Sequence, residues 1–303
     1  MDWPVARRLD LHVGHGKTGS SFLQAWLAAN SDALRGLGVH YPLQAPSGRT
    51  ERHAQRGLFS MGNGFVLEEV QAAADPAAAL RGLAAALPPE GALLFSDERL
   101  MKRLVGQLPE LMALAAAAGF AEVRLLLFVR DPLEHACSLY LEMVKAHGLS
   151  VSLSDWLAIH NLHLHLRAFL EEQTGLDAAL ACRLEVHNYS RCHRQLLPLL
   201  QRWLGLPEAC ATWPLPPRQR VNRSLSRREL ALLRRLNRFL GPRTRGLGRA
   251  LVRLRPEAQP ARPQPSPAAV EAFRQRLAEP VEAINALLPP AAALRLEHEG
   301  ADG

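Results

Sequence analysis

The chain has 303 residues, 48% hydrophobic and 21% charged, enough apolar material for one large or two modest cores, which excludes a chain disordered throughout. The net charge of +7 is local. Residues 214–262 hold 14 arginines against Glu229 and Glu257, so the rest of the chain is net acidic and the protein is not basic as a whole. Cys137, Cys182, Cys192 and Cys210 form no CxxC pair, which argues for a reducing compartment, and Cys182, His187, Cys192 and His193 lack regular zinc-ligand spacing.

The opening MDWPVARRLD lacks the apolar core of a signal peptide. The longest apolar stretch, Leu111 to Ala121, falls short of the roughly 20 residues that span a bilayer, so a soluble cytoplasmic protein is expected. In chain order, LDLHVG (9–14), GVHYP (38–42), GALLFS (91–96), VRLLLFV (123–129) and CRLEVH (182–187) read as strands. Helical spacing occupies 20–30, 66–87, 107–118, 132–147, 153–173 and 190–204. Continuous apolar strands alternating with helices predict an α/β fold of three layers, a parallel sheet of about five strands covered on both faces. Its ligands belong at the carboxyl ends of the strands.

Residues 42–65 read as a long loop and 213–222 as a Pro-rich passage. A capping box at Ser226 to Glu229 predicts a helix carrying Leu230, Leu233, Leu236 and Leu240 on its docked side. The expected organisation is an α/β core over 1–212, an Arg-rich helical segment completing it over 213–254, a Pro-rich linker over 255–267, and a C-terminal helix (268–288) and tail to 303. The arginines also fit a nucleic-acid or acidic-membrane surface, but no nucleic-acid motif accompanies them, and nucleic acid is not the expected partner.

The segment HVGHGKTGSSFLQ (12–24) carries a strand end through glycines into a helix. Such a turn aims unpaired N–H groups and the positive helix end at one spot, which suits phosphate or sulfate. Gly14, Gly16 and Gly19 permit close approach, Lys17 adds a compact charge, and Thr18, Ser20 and Ser21 add hydroxyls. Only Lys17, Lys102 and Lys145 are lysines among 36 basic residues, so a lysine inside this turn is distinctive. A nucleoside-triphosphate P-loop would need glycine at position 11, where Leu11 stands, so an ATP-dependent kinase-like phosphotransferase is the second reading. In that reading LLLFVRD is a Walker-B-like strand with Asp131 on Mg²⁺.

Lys-Thr-Gly-Ser-Ser-Phe (17–22) resembles the 5′-phosphosulfate loop of sulfotransferases that use 3′-phosphoadenosine 5′-phosphosulfate (PAPS). VRDPLEHACSLY (129–140) resembles the same family's 3′-phosphate segment, with Arg130 and Ser138 at the family's spacing. The resemblance covers 9 to about 230, with specific motifs confined to these two segments. It implies PAPS as sulfate donor, no metal, and a site of Gly16, Lys17, Thr18, Gly19, Ser20, Ser21, Phe22, Arg130, Ser138, Tyr189 and Arg220. Phe22 would offer an aromatic face to adenine, Tyr189 would lie near the base, and Arg218, Arg220 and Arg223 would cover the 3′-phosphate. Lys17 would neutralise the leaving oxygen, as positioned donors do in phosphoryl transfer. Glu98 or His53 would take the acceptor's proton, with His15 and His40 as further candidates.

Asp131 is expected to cap the helix after Arg130, and Glu98 or Asp97 has the alternative of capping one near Arg99. His160, His163 and His165 lack accompanying carboxylates or thiols and read as acceptor-site or surface residues. The acceptor is a hydroxyl or amine; 6% aromatic content favours a carbohydrate over a phenol.

Overall fold

The computed structural model describes residues 7–50, 62–161, 163–176, 180–216, 224–244, 246–254 and 258–297. Five parallel strands form one sheet: β1 (Arg8–Gly14), β2 (Val39–His40), β3 (Ala92–Asp97), β4 (Glu122–Val129) and β5 (Ala181–Asn188), in the order β2-β3-β1-β4-β5. Side chains of successive residues point to opposite faces, and both faces are apolar. Leu9, Leu11, Val13, Leu93, Phe95, Leu125 and Leu127 enter one cluster. Leu94, Leu126 and Phe128 enter the other.

The smaller cluster is closed by α1 (Ser20–Ala29), α2 (Ser31–Gly36) and, after the single turn α10 (Tyr189–Cys192), by α11 (Leu196–Leu204). On the larger face lie α3 (Gly64–Gln71), α4 (Pro76–Ala84), α5 (Leu100–Leu104), α6 (Leu108–Ala117), α7 (Pro132–His147), α8 (Leu153–Ile159) and α9 (His163–Thr174). Later in the chain come α12 (Arg227–Leu240), α13 (Leu247–Leu254) and α14 (Pro267–Asn285). The last of these packs on α8 and α9 through Phe273, Leu277, Val281 and Ile284. No helix among the described residues is long and apolar enough to cross a membrane.

The α/β class and all five expected strands are present. Three expected helices are each divided in two. The 66–87 span breaks where Asp75 accepts from the Ala78 amide and Pro76 opens a new helix, since proline suits a first turn and not a middle one. The 153–173 span becomes α8 and α9, and 190–204 becomes α10 and α11. The capping box at Ser226 forms, and Leu230 and Leu233 are buried, but Leu240 is exposed, and in the last turn of α12 it is Asn237 that faces the core.

Asn63 explains how the chain returns to the sheet after the long loop. Its Nδ2 donates to the carbonyls of Pro42 and Leu94, and its Oδ1 accepts from the Ser96 amide at 2.7 Å. On either side, Gly62 (φ +87°) and Gly64 lie so close to Ser96 and Asp97 that no Cβ fits.

The strand order reverses at β1, which lies between β3 and β4: the chain fills β2 and β3 on one side of it and β4 and β5 on the other. In open parallel sheets the crevice beyond the strand ends at such a reversal is where ligands bind. Gly14, Asp97, Val129 and Asn188 end their strands along this edge.

Candidate functional site

The turn after β1 is built on two left-handed residues. Lys17 has φ 67°, the one non-glycine residue with positive φ among those described, and Gly19 has φ 81°. A Cβ on Gly19 would also meet Leu196 Cδ1 at 2.5 Å. Lysine in this region is strained by about 1 kcal/mol or more, which persists only where surrounding contacts over-determine it. Three such contacts surround the turn. Thr18 Oγ1 donates to the His15 carbonyl at 2.7 Å, His135 Nε2 lies 2.9 Å from the Gly16 carbonyl, and Arg130 Nη1 donates to the Lys17 carbonyl at 2.9 Å.

With its carbonyls pinned inward, the turn leaves its amides outward: among the described residues the N–H groups of Lys17 to Ser21 have no protein acceptor. Ser20 Oγ is buried with no partner in the described structure. An orphaned buried hydroxyl beside a run of unpaired amides at the start of α1 is the donor set that an oxyanion requires.

Lys17 Nζ lies 3.4 Å from Glu142 Oε2, and Lys145 Nζ lies 2.7 Å from the same oxygen. Burial alone would raise the Glu142 pKa, but the charges and hydrogen bonds of the two lysines outweigh it and hold the carboxyl below its usual range. Two of the chain's three lysines therefore meet on one α7 carboxylate.

Arg130 stands at the tip of β4. Its guanidinium lies 4.9 Å above the Tyr189 ring, and its Nε approaches Glu134 Oε2 at 3.3 Å. Ser190 Oγ donates to Glu134 at 3.0 Å and accepts from the Asp131 amide, tying the tips of β4 and β5. Ser138 follows two turns along α7, half-buried and with no side-chain hydrogen bond among the described residues. Gly16, Lys17, Gly19, Ser21, Phe22, Arg130 and Tyr189 are all partly exposed around this edge.

Glu98 sits just past the end of β3, exposed, and its Cα would lie 2.3 Å from a Cβ on Gly14, so the two strand tips are in backbone contact. The protein around it raises the carboxyl pKa above the usual 4.5 by limiting hydration, and Lys17 opposes that rise.

Several expectations are corrected. Asp131 occupies the N-cap position of α7 but makes no capping bond; its Oδ1 accepts from Asn188 Nδ2 at 2.8 Å and from the Arg295 amide at 3.0 Å. Asp97, and not Glu98, accepts from the Arg99 amide. The Thr18 hydroxyl proton is committed inside the turn, so that side chain is fully buried and does not donate outward. His15 is no exposed base: it is buried and stacked on His135 at 4.3 Å. His160 is a core residue, 5.1 Å from the Trp156 ring. His40 is held by the Leu83 carbonyl and Arg35. His53, Arg218, Arg220 and Arg223 lie outside the described residues, as does the side chain of His163.

Burial pushes the Cys137 and Cys182 thiols up to about 11, so neither is a thiolate at neutral pH. His135, Glu142, Asn188 and Ser190 were not visible as site residues in the sequence. The scarcity of lysine that singles out Lys17 also marks Lys145, and through it Glu142.

The fold and this edge define an α/β protein with a turn of unpaired amides and an arginine at adjoining strand ends. Among solved structures the chain is similar to a sulfotransferase from Alicyclobacillus acidocaldarius, at 14% identity and a TM-score of 0.45, covering 93% of this chain and 96% of that one. It is also similar to retinol dehydratase in complex with androsterone and the inactive cofactor PAP, at 12% identity and a TM-score of 0.31, covering 96% and 82%. A second retinol dehydratase structure, with retinol and PAP, gives 13% identity and a TM-score of 0.31, covering 96% and 83%. No protein-family model matches the chain, and no curated protein does.

Proposed function

We propose that this chain is a sulfotransferase that binds PAPS and moves its sulfuryl group to a hydroxyl or amine of an acceptor. The observation that carries the reading is the hydrogen bond from Arg130 to the Lys17 carbonyl. It joins two cationic elements, the turn after β1 and the tip of β4, in one cradle that a nucleotide with an anion at each end can bridge. The orphaned Ser20 hydroxyl and the unpaired amides of Lys17 to Ser21 supply the donors such a ligand needs.

PAPS, when bound, supplies an activated sulfuryl group. The chain's part is then positioning and charge stabilisation. Lys17 and the turn amides hold the leaving oxygen, and Glu142 keeps the Lys17 ammonium in place. Arg130 and Ser138 hold the 3′-phosphate, with Phe22 and Tyr189 beside the base. Glu98, raised in pKa yet close to Lys17, takes the proton from the acceptor. No metal enters this scheme. A carbohydrate acceptor remains the reading that composition favours.

Calorimetry with 3′-phosphoadenosine 5′-phosphate, run beside ATP with Mg²⁺, tests the proposal. Preference for the former, abolished in Lys17→Ala and in Arg130→Ala, is expected. Equal or absent binding overturns it, and a preference for ATP with Mg²⁺ favours a phosphotransferase instead.

A further inference from the structure

Of the nine large apolar side chains exposed among the described residues, Leu37, Val151, Ile159 and Leu215 are scattered and the other five gather in one part of the chain. Leu232, Phe239, Leu240, Leu247 and Leu254 are exposed, Phe239 by 82% and Leu254 by 77%, and all five lie on α12 and α13. The same stretch, 227–254, holds nine arginines and one acid. That acid, Glu229, is buried within the capping box.

The pattern on α12 is ordered. Arg228, Leu232, Arg235 and Phe239 follow one another at helical steps of four, three and four, so they form one stripe. It faces away from Leu230, Leu233 and Asn237, which are buried. On α13, Leu247 and Leu254 are seven apart and share a face. Arg227, Arg228, Arg235, Arg238 and Arg243 form no ion pair among the described residues.

The surface is fixed to the core. Both helices pack on α7. Asn237 Nδ2 donates to the carbonyls of Val144 and Leu149, each at 2.9 Å, and Thr244 Oγ1 donates to Asn237 Oδ1 at 2.6 Å.

We propose that α12 and α13 form a docking surface for an anionic lipid bilayer. The arginines meet headgroup phosphates, and Phe239 and Leu254 enter the boundary between headgroups and acyl chains. Cationic helices with protruding aromatic and leucine side chains bind bilayers through both terms together. A nucleic-acid duplex would satisfy the arginines and give nothing to Phe239 or Leu254. A second copy of the chain would set this arginine-rich face against itself, and like charges repel across a two-fold contact.

The test is flotation of the full chain with vesicles of phosphatidylcholine, alone or doped with phosphatidylserine, at low and at physiological salt. Binding to the doped vesicles alone is expected, weaker at the higher salt because surface charges are screened. The double variant Phe239→Ser/Leu254→Ser lowers the partition coefficient about tenfold or more, since two inserted apolar side chains are lost. Arg228→Gln/Arg235→Gln lowers it about tenfold as well, through lost headgroup attraction. Both variants are expected to melt with the parent, because the altered side chains are exposed. Failure to float with doped vesicles overturns the proposal, and so does undiminished binding by the serine variant. A vesicle-free dimer dispersed by Phe239→Ser, or tight duplex DNA retention on a filter indifferent to that change, overturns it too.

Discussion

His12 lies near the carboxyl end of β1, fully buried, with Nδ1 2.8 Å from Ser96 Oγ and its ring edge-on to Phe128. Burial pushes its pKa from 6.5 down to about 4. Between those two values the unfolded chain carries a proton on this ring and the folded chain does not, so folding becomes less favourable as pH falls. The loss begins near the unfolded value and is complete below the folded one, amounting to about 3 kcal/mol at roughly 1.4 kcal/mol per pH unit. At about pH 5 roughly 2 kcal/mol of it has been lost relative to about pH 7.5. His12→Asn keeps an amide beside Ser96 and has nothing to titrate in this range. Urea unfolding of parent and variant at both pH values isolates the term, because every other titrating group is common to the two proteins. The variant starts less stable, through the cavity it leaves, but loses about 2 kcal/mol less on acidification. Parallel losses in the two proteins would refute the reasoning, since the ring would then accept a proton in place.

Two further outcomes bear on the site and its scaffold. Glu98→Gln should lower kcat by about 10²-fold or more if Glu98 takes the acceptor's proton. The parent's rate should rise with pH through a limb displaced above the ordinary carboxylate value, because the ionised form is the base, and that limb should vanish in the variant; an unchanged profile removes Glu98 from the mechanism. Asn63→Ala removes three buried hydrogen bonds to Pro42, Leu94 and Ser96. At roughly 1 kcal/mol each the expected loss in urea unfolding is about 3 kcal/mol, and a loss under about 1 kcal/mol would mean the 62–64 crossing is not held by this side chain.

The sheet was legible because its signal is local. A parallel strand buried on both faces must be apolar at nearly every position, and LLLFV says so without reference to any partner. The turn at 14–21 was legible for the same reason: glycine spacing, one rare lysine and a following helix are all within ten residues. What escaped the sequence depends on meetings between distant segments. Asp131 looks like a helix cap until Asn188 and the Arg295 amide claim its carboxylate from across the fold. Asn63 looks like a loop residue until the amide of Ser96, 33 positions away, donates to its side chain and the Ser96 carbonyl accepts from its main-chain N–H. Glu142 is an ordinary helix acid by spacing and becomes a counter-ion only when the turn brings Lys17 over α7. His160 reads as an acceptor-site or surface residue because no carboxylate or thiol accompanies it in sequence, while Trp156 and Phe273 enclose it. The splitting of 66–87 is different, since Asp75-Pro76 announces it locally; the run of alanines on both sides masks the signal.

The contact between Gly14 and Glu98 sets a gauge for the whole edge. With no side chain on that α-carbon, the two neighbouring strand tips close to the limit that main chains allow. A single methyl there would act as a shim, prising the segment around Glu98 away from the Lys17 turn without altering any polar group. The closeness of these two tips is thus written in an atom the residue lacks.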